Sequence, residues 1–407
     1  MSDATTTPER PRRAPRKAPR KALVIGAGIG GLTAAAALRK AGLDVEVYER
    51  AGELRAAGSG LSVMSNAIAA LDSLGLGIDL AGRGQTLESY HVRTPRGRLI
   101  REFPFPEIIA RIGAPSVLIT RADLQQALLE AIEGIPIVTG STATAFEWDE
   151  TGADDGGVRV TFADGSEAYG DVLIGADGFH SAVRRQLVGP EDAQDSGYIC
   201  WLAVVPYAHP KFAPGSVIHY WGAGRRFGLV DVGGGRVYWW GTKNMPAERS
   251  RSWKGDRTEI LATYGGWADE VRHAIEVTPD DAVIAVPSQD RAFLERWGRG
   301  PVTLLGDAAH PMLTSLGQGC CMAIEDAVVL GRALAGAEDV PAALRHYEDL
   351  RRERTRGMVA ASRGISTFEQ SETLIRRPVR DAYFRFMPQR KLTRMLEDAL
   401  TFQDVAP

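Results

Sequence analysis

Residues 21–50 read KALVIGAGIGGLTAAAALRKAGLDVEVYER, and this stretch decides the fold. An apolar run, Ala22 to Ile25, leads into Gly26, Gly28 and Gly31; an alanine-rich helical segment follows, then a second strand-like run from Val45 to Tyr48. The order strand, glycine turn, helix, strand is the βαβ dinucleotide fingerprint. Gly26 permits the tight turn, Gly28 lets the backbone approach a pyrophosphate, and Gly31 lets helix and strand pack closely. The helix N-terminus is then aimed at the phosphates. Glu49 ends the second strand 18 residues after Gly31. A carboxylate there accepts hydrogen bonds from ribose hydroxyls and repels a 2′-phosphate, so the dinucleotide held here is FAD or NAD rather than NADP. The apolar residues 22–38 follow basic ones and superficially resemble a signal peptide or membrane span, but 17 residues are short for a span.

The composition reads as that of a soluble, globular chain, and its glycine content hints at nucleotide binding. Of 407 residues, 44% are hydrophobic and 24% charged, and 45 are glycine, which excludes disordered and collagen-like classes. A net charge of −3 gives no overall basic field, so no nucleic-acid partner is expected. Three cysteines, Cys200, Cys320 and Cys321, suit neither a disulfide framework nor a zinc site, which points to no metal and a cytoplasmic location. Residues 1–20 hold six basic residues among Pro, Thr and Ala and read as a disordered tail.

Further along, LITRADLQQALLEAI passes from strand to helix with Arg121 at the junction. Arg121 reads either as a solvated or ion-paired helix-end charge or as a phosphate clamp. In GADGFHSAVRRQL, Asp177 leaves a strand and reads either as the cap of the helix that follows or as a cofactor contact. Residues 198–286 carry six of the eight tryptophans among β-branched residues and glycine turns, which marks a second, β-rich domain. Its aromatics serve as ordinary packing or as the wall of an apolar pocket; Tyr238 and Trp240, two apart, share a face.

A second motif lies in PVTLLGDAAHPMLTSLGQGCCMAIEDAVVLGRAL. Its strand ends at Gly306 and Asp307, and Gly317 and Gly319 precede a long helix. A nicotinamide dehydrogenase has no use for such a motif, whereas a flavin does. Asp307 can accept hydrogen bonds from polyol hydroxyls, and free amides at residues 317–320 offer a positive pole to a reduced, negatively charged ring. His310 beside Pro311 reads as structural, with a catalytic role as the alternative. Cys320 and Cys321 read as a small-residue helix start rather than reactive thiols.

Three motifs in order, GAGIGG with Glu49, ADGFHS with Arg184, and GDAAH through GQG into IEDAVVL, followed by HYEDLRRERT, make the chain resemble the class A flavoprotein monooxygenases. These are the para-hydroxybenzoate hydroxylase-like family, and GDAAHPM and GQGCCMAIEDA resemble the urate hydroxylase-like and zeaxanthin epoxidase-like branch. The resemblance implies an α/β fold with a Rossmann-type FAD-binding domain over residues 21–190 and 287–340, an inserted β-rich substrate domain over 191–286, and C-terminal helices over 341–407. It implies tightly bound FAD, transient NADPH or NADH, and O2. A flavin C4a-hydroperoxide then hydroxylates or epoxidises an aromatic or polyunsaturated small molecule. The cofactor set implied is Gly26, Gly28, Gly31, Glu49, Arg50, Ser62, Arg121 at the pyrophosphate, Asp177, Asp307 at the ribitol, Gly317, Gln318 and Gly319. Arg226 and Tyr238 match substrate-contacting strand positions of the branch. The chain departs from the family at Thr314, usually proline and close to the flavin edge, and at Leu202, where many relatives carry arginine. A flavin-dependent halogenase or reductase, or a non-catalytic flavin or ligand carrier, is the alternative; the halogenase WxWxIP motif is absent. No integral membrane span is expected, and the stretch 357–407 reads as helices packed on the body, an oligomer contact or a membrane-surface element.

Overall fold

The computed structural model describes residues 20–54, 58–148, 157–373 and 376–403. Residues 1–19, which make up nearly all of the expected tail, lie outside them. Lys21–Ile25 is the central strand of a five-stranded parallel sheet ordered Val302–Leu304, Val172–Gly175, Lys21–Ile25, Asp44–Tyr48, Ile137–Val138. Lys21–Ile25, Val172–Gly175 and the edge strand Val302–Leu304 are buried almost throughout on both faces, as expected of a covered parallel sheet. Helix Ile29–Lys40 lies against helix Gly319–Leu334, and their approach depends on small residues: a side chain on Gly331 would lie 2.8 Å from Ala37 Cβ. The two sequence motifs are thereby brought side by side.

A second sheet has seven strands in the order Ile284–Asp290, Gln194–Pro206, Arg236–Asn244, Arg225–Asp231, Ser216–Trp221, Ser89–Arg93, Leu99–Phe103. It draws on residues outside the 191–286 segment expected to form the substrate domain. The hairpin of Ser89–Arg93 and Leu99–Phe103, turned at Gly97 (φ 83°), extends the sheet by parallel pairing with Ser216–Trp221. Such long-range pairing leaves no local mark in a sequence.

The two faces of this sheet divide the aromatic residues. Trp201, Trp239, Phe227 and Tyr264 are fully buried in a separate core against helices Arg257–Thr263 and Asp269–Glu276. There the packing reading holds. Tyr238 and Trp240 alternate with Trp239 and point the other way, toward the first domain.

Helix Val340–Glu369 joins both bodies. Asp339 caps it through the Ala342 amide at 3.0 Å, and 30 residues make it about 45 Å long. Near its start Tyr347 donates to the Leu304 carbonyl at 3.1 Å, and near its end Ser366 meets Tyr198 of the second sheet at 2.9 Å. Helices Arg376–Phe386 and Gln389–Leu400 follow. Among the described residues no helix is long and apolar enough to cross a membrane.

Candidate active site

The turn after Lys21–Ile25 is shaped by three glycines with three different constraints. Gly26 has φ 108°, and a Cβ there would lie 2.4 Å from the Ala176 carbonyl oxygen. A Cβ on Gly31 would lie 1.9 Å from the Gly26 carbonyl oxygen. Gly28 differs, because its φ of −73° suits any residue and nothing lies within 4 Å of where its Cβ would be. It caps helix Ile29–Lys40 without a side-chain bond, so the first amides of that helix face open space.

That space is a cavity of about 380 Å³ lined by Gly26, Gly28, Glu49, Arg50, Arg121, Asp177, Asp307, Gly319 and Cys320, among others. Glu49 is fixed by the amides of Ala27 (2.8 Å) and Ala51 (2.9 Å). Asp177 fulfils the capping reading, accepting from Ser181 Oγ at 2.5 Å and the Ala182 amide at 2.7 Å, while still lining the cavity. Burial pushes its carboxyl up despite these bonds. Asp307 is solvent-accessible yet enclosed by protein, because its side chain faces the cavity. Enclosure pushes its carboxyl up, against the pull of His310 and Arg121, and no hydrogen bond to it is found among the described residues. Arg50, Arg121 and Arg185 line the same space with no side-chain partner among the described residues.

Around the cavity, several residues act by holding others. The Arg184 guanidinium is buried and donates to the carbonyls of Ala308 (3.1 Å), Ala309 (2.9 Å) and Ala292 (3.1 Å), fixing the turn that presents Asp307. His310 is buried with Nε2 at 2.6 Å from Asp326 Oδ2, a structural position. Burial pushes the Cys320 thiol up to about 12, so it is no reactive thiolate. Sequence reasoning did not single out Arg185, His180 or residues 141–143, which also line the cavity.

Ser62, Gly317, Gln318, Thr314, Arg226 and Tyr238 do not line this space; Gly31 supports it from behind. Ser62 lies on strand Gly60–Val63, where its carbonyl accepts from Cys321 Sγ at 3.5 Å. Gly317 (φ 64°) ends the turn Thr314–Leu316, whose Thr314 is exposed, and buried Gln318 accepts from Asn66 Nδ2 at 3.0 Å.

Beyond this strand and turn lies the inner face of the second sheet. Its register sets Cys200, Thr242 and Arg226 in one cross-strand row, Leu202, Trp240, Gly228 and His219 in the next, and Val204 and Tyr238 in a third. Tyr238 packs on Gly60, where a side chain would lie 2.5 Å from the Tyr238 Cβ. Tyr90, His219, Tyr238 and Cys200 keep partial accessibility, yet burial pushes His219 down to about 3, Cys200 up to about 12, and both tyrosines upward. Partial accessibility inside a low-dielectric surround is the mark of a cavity wall. Arg226 is buried in this wall; it donates through Nε to Gln370 Oε1 at 3.0 Å and through Nη1 to Ser315 Oγ at 3.3 Å and to the Glu369 carboxylate.

A family model described as an FAD binding domain matches residues 20–362. The aurachin C monooxygenase/isomerase of Stigmatella aurantiaca is 39% identical over 365 residues, spanning 90% of this chain and 94% of the relative. The FAD-dependent urate hydroxylase of Klebsiella pneumoniae is 36% identical over 345 residues, 84% of this chain and 88% of its own. The crystal structure of Klebsiella pneumoniae HpxO complexed with FAD and uric acid superposes with a TM-score of 0.86 at 32% identity, covering 94% of this chain and 96% of that one.

The chain belongs to the FAD-dependent monooxygenases. FAD is therefore its cofactor, with NAD(P)H as the transient reductant typical of the family. The cavity fits the group on its own chemistry. Gly28 leaves an open cradle before a helix N-terminus, Asp307 offers a carboxylate lacking a donor, and the arginines without partners suit a diphosphate.

Proposed function

We propose that this FAD-dependent monooxygenase uses O2 and NADPH or NADH to hydroxylate or epoxidise a planar aromatic or polyunsaturated small molecule held against the inner face of the second sheet. The observation that carries the reading is the half-accessible aromatic wall of Tyr90, His219, Tyr238 and Trp240 around buried Arg226, beside the Thr314–Leu316 turn that leads to Gly319 at the edge of the Asp307 cavity. Relatives named for aurachin C and urate are consistent with a ring-shaped substrate. Three free thiols suit a cytoplasmic location.

In this reading Gly26, Gly28 and Gly31 shape the diphosphate cradle, and Glu49 takes the adenosine ribose. Arg50 and Arg121 face the phosphates, Asp177 and Asp307 take the flavin-side polyol, and Ser62, Gly317, Gln318 and Gly319 border the ring. When bound, FAD supplies two-electron redox chemistry and O2 activation. The apolar side chains of the wall exclude water from the reacting ring. Arg226 keeps Nη2 without a partner among the described residues and donates it to a substrate carbonyl or hydroxyl, while Tyr238 and Thr314 position the ring. The deciding assay reconstitutes the chain with FAD and follows NAD(P)H oxidation over a panel of hydroxyquinolines, hydroxybenzenes and polyenes under isotopically labelled O2. One labelled oxygen atom in the product is expected; peroxide release with every compound and no labelled product overturns the proposal.

Asp307 gives a second expected outcome. Its unpaired carboxylate is a liability without ligand and an acceptor with it. Asp307→Asn weakens flavin affinity by about tenfold to a hundredfold, the range for a lost charged hydrogen bond. The flavin-free variant melts higher than flavin-free wild type at neutral pH. A carboxyl whose folded value is raised destabilises as pH rises through that value, so the difference vanishes in acid below the ordinary carboxylate range. Titration calorimetry with FAD and melting curves of both apoproteins test the two effects. Unchanged affinity removes Asp307 from the cofactor set.

A further inference from the structure

We infer that Glu369 sets the charge preference of the substrate wall: the pocket takes uncharged rings and rejects anionic ones because Arg226, the inward cation among the described residues, is already matched. This rests on the wall being the substrate site, as proposed above. Arg226 touches the Glu369 carboxylate directly, and side chains of both are almost wholly buried. Burial opposes the Arg226 charge, but its surroundings, Glu369 foremost, more than offset this and hold the guanidinium protonated. Burial pushes the Glu369 carboxyl up in turn, against the pull of Arg226 and Arg380; with the carboxylate seated on the guanidinium, the ion pair is the state that satisfies both groups.

Among the described residues, the other groups around the pair carry no spare charge. Arg380 is buried beside Glu369 but is matched by Asp381 at 2.9 Å, and its Nη1 donates to the carbonyls of Glu369 (2.9 Å) and Gly222 (3.2 Å). His219 is neutral, Cys200 is a thiol, and Tyr90 and Tyr238 keep their protons. A substrate carboxylate entering here has to compete with Glu369 for one guanidinium, and whichever anion loses is left desolvated without a partner. That cost exceeds what a single buried contact returns. A neutral ring needs only the free Nη2 donor and the aromatic wall.

The test compares two probes of one shape, 4-hydroxyquinoline and its anionic 2-carboxylate, on the FAD-loaded full chain. Binding is read from the flavin visible spectrum and from tryptophan fluorescence, since Trp240 lies in the wall. Wild type is expected to bind the neutral probe at least about tenfold more tightly, and Glu369→Gln to reverse that preference by freeing Arg226. Glu369→Asp keeps the neutral preference. Should Glu369→Gln fail to fold, the double variant Arg226→Gln with Glu369→Gln removes both charges and is expected to keep the neutral preference; a gain of anion binding there overturns the inference. So does a Glu369→Gln protein that folds and still prefers the neutral probe. If neither probe registers on wild type by either readout, the reading of the wall as a substrate site fails first, and the inference falls with it.

Discussion

Gly28→Val is expected to yield a folded protein that has lost its flavin. The three glycines of the first turn look equivalent as letters, but their surroundings separate them. A side chain on Gly31 collides with the Gly26 carbonyl oxygen at 1.9 Å, and one on Gly26 meets the Ala176 carbonyl while demanding φ 108°. Substitution at either breaks the strand–turn–helix unit itself. Gly28 has an ordinary φ and no protein atom within 4 Å of its missing Cβ, so valine fits the apoprotein. The remaining local cost is that of a poor N-cap residue, about 1 kcal/mol. The side chain instead fills the space before the first helical amides, where a diphosphate needs close approach to the backbone. Flavin affinity should fall by at least about a hundredfold, near 3 kcal/mol. The flavin-to-protein absorbance ratio of purified Gly28→Val and its melting curve against flavin-free wild type check this. Gly31→Val, run alongside, should fail to give soluble folded protein. A Gly28→Val protein that purifies fully yellow places the diphosphate elsewhere.

The contrast between these glycines shows what a sequence displays and what it hides. Constraints acting over a few residues were open to reading. The glycine spacing fixed the first βαβ unit, and Asp307 at a strand end announced a carboxylate facing a ligand. Asp177 at the head of helix Ala182–Val188 was readable in both its roles, because capping and cavity lining are local consequences of one position. The alternation of Tyr238, Trp239 and Trp240 showed that Tyr238 and Trp240 share a face. It did not say which face meets helices Arg257–Thr263 and Asp269–Glu276, since both faces are aromatic and only the third dimension chooses. Pairing of Ser89–Arg93 with Ser216–Trp221 was hidden for a related reason: parallel neighbours so far apart need no shared local pattern. Least legible was Glu369. It lies 143 residues from Arg226 at the end of a helix whose amphipathic pattern reads as ordinary packing, and only the path of that helix across both bodies brings it to the wall.

That helix is held by a buried ionic cluster, and the second large effect is expected there. Arg351 donates through Nε to Asp326 Oδ1 and through Nη1 to Glu325 Oε2, both at 2.7 Å. Arg354 Nε and Asn66 Nδ2 also reach Glu325 at 2.7 Å, while His310 holds the other Asp326 oxygen. Glu325, Asp326 and Arg351 are almost wholly buried. Such a cluster adds little over a well-packed apolar one, but breaking it from one side leaves desolvated charge behind. Arg351→Met should therefore cost about 3–5 kcal/mol, against roughly 5–15 kcal/mol for a whole domain. A triple variant, Arg351→Met with Glu325→Gln and Asp326→Asn, should recover part of the loss, because no buried carboxylate is then left unmatched. The pH dependence has a defined sign. Burial raises the Asp326 carboxyl, but His310 and Arg351 more than offset this and hold it below the ordinary carboxylate range. A depressed carboxyl stabilises above its unfolded value and loses that stabilisation as pH falls through its folded one, so wild type should hold its melting temperature well into acid. In Arg351→Met one of those two supports is gone, and the decline should begin at a higher pH. Denaturant midpoints across a pH series for wild type, single and triple variants measure all three effects. An Arg351→Met protein as stable as wild type at neutral pH would show that the cluster does not hold the long helix, and the position of Glu369 would then need another support.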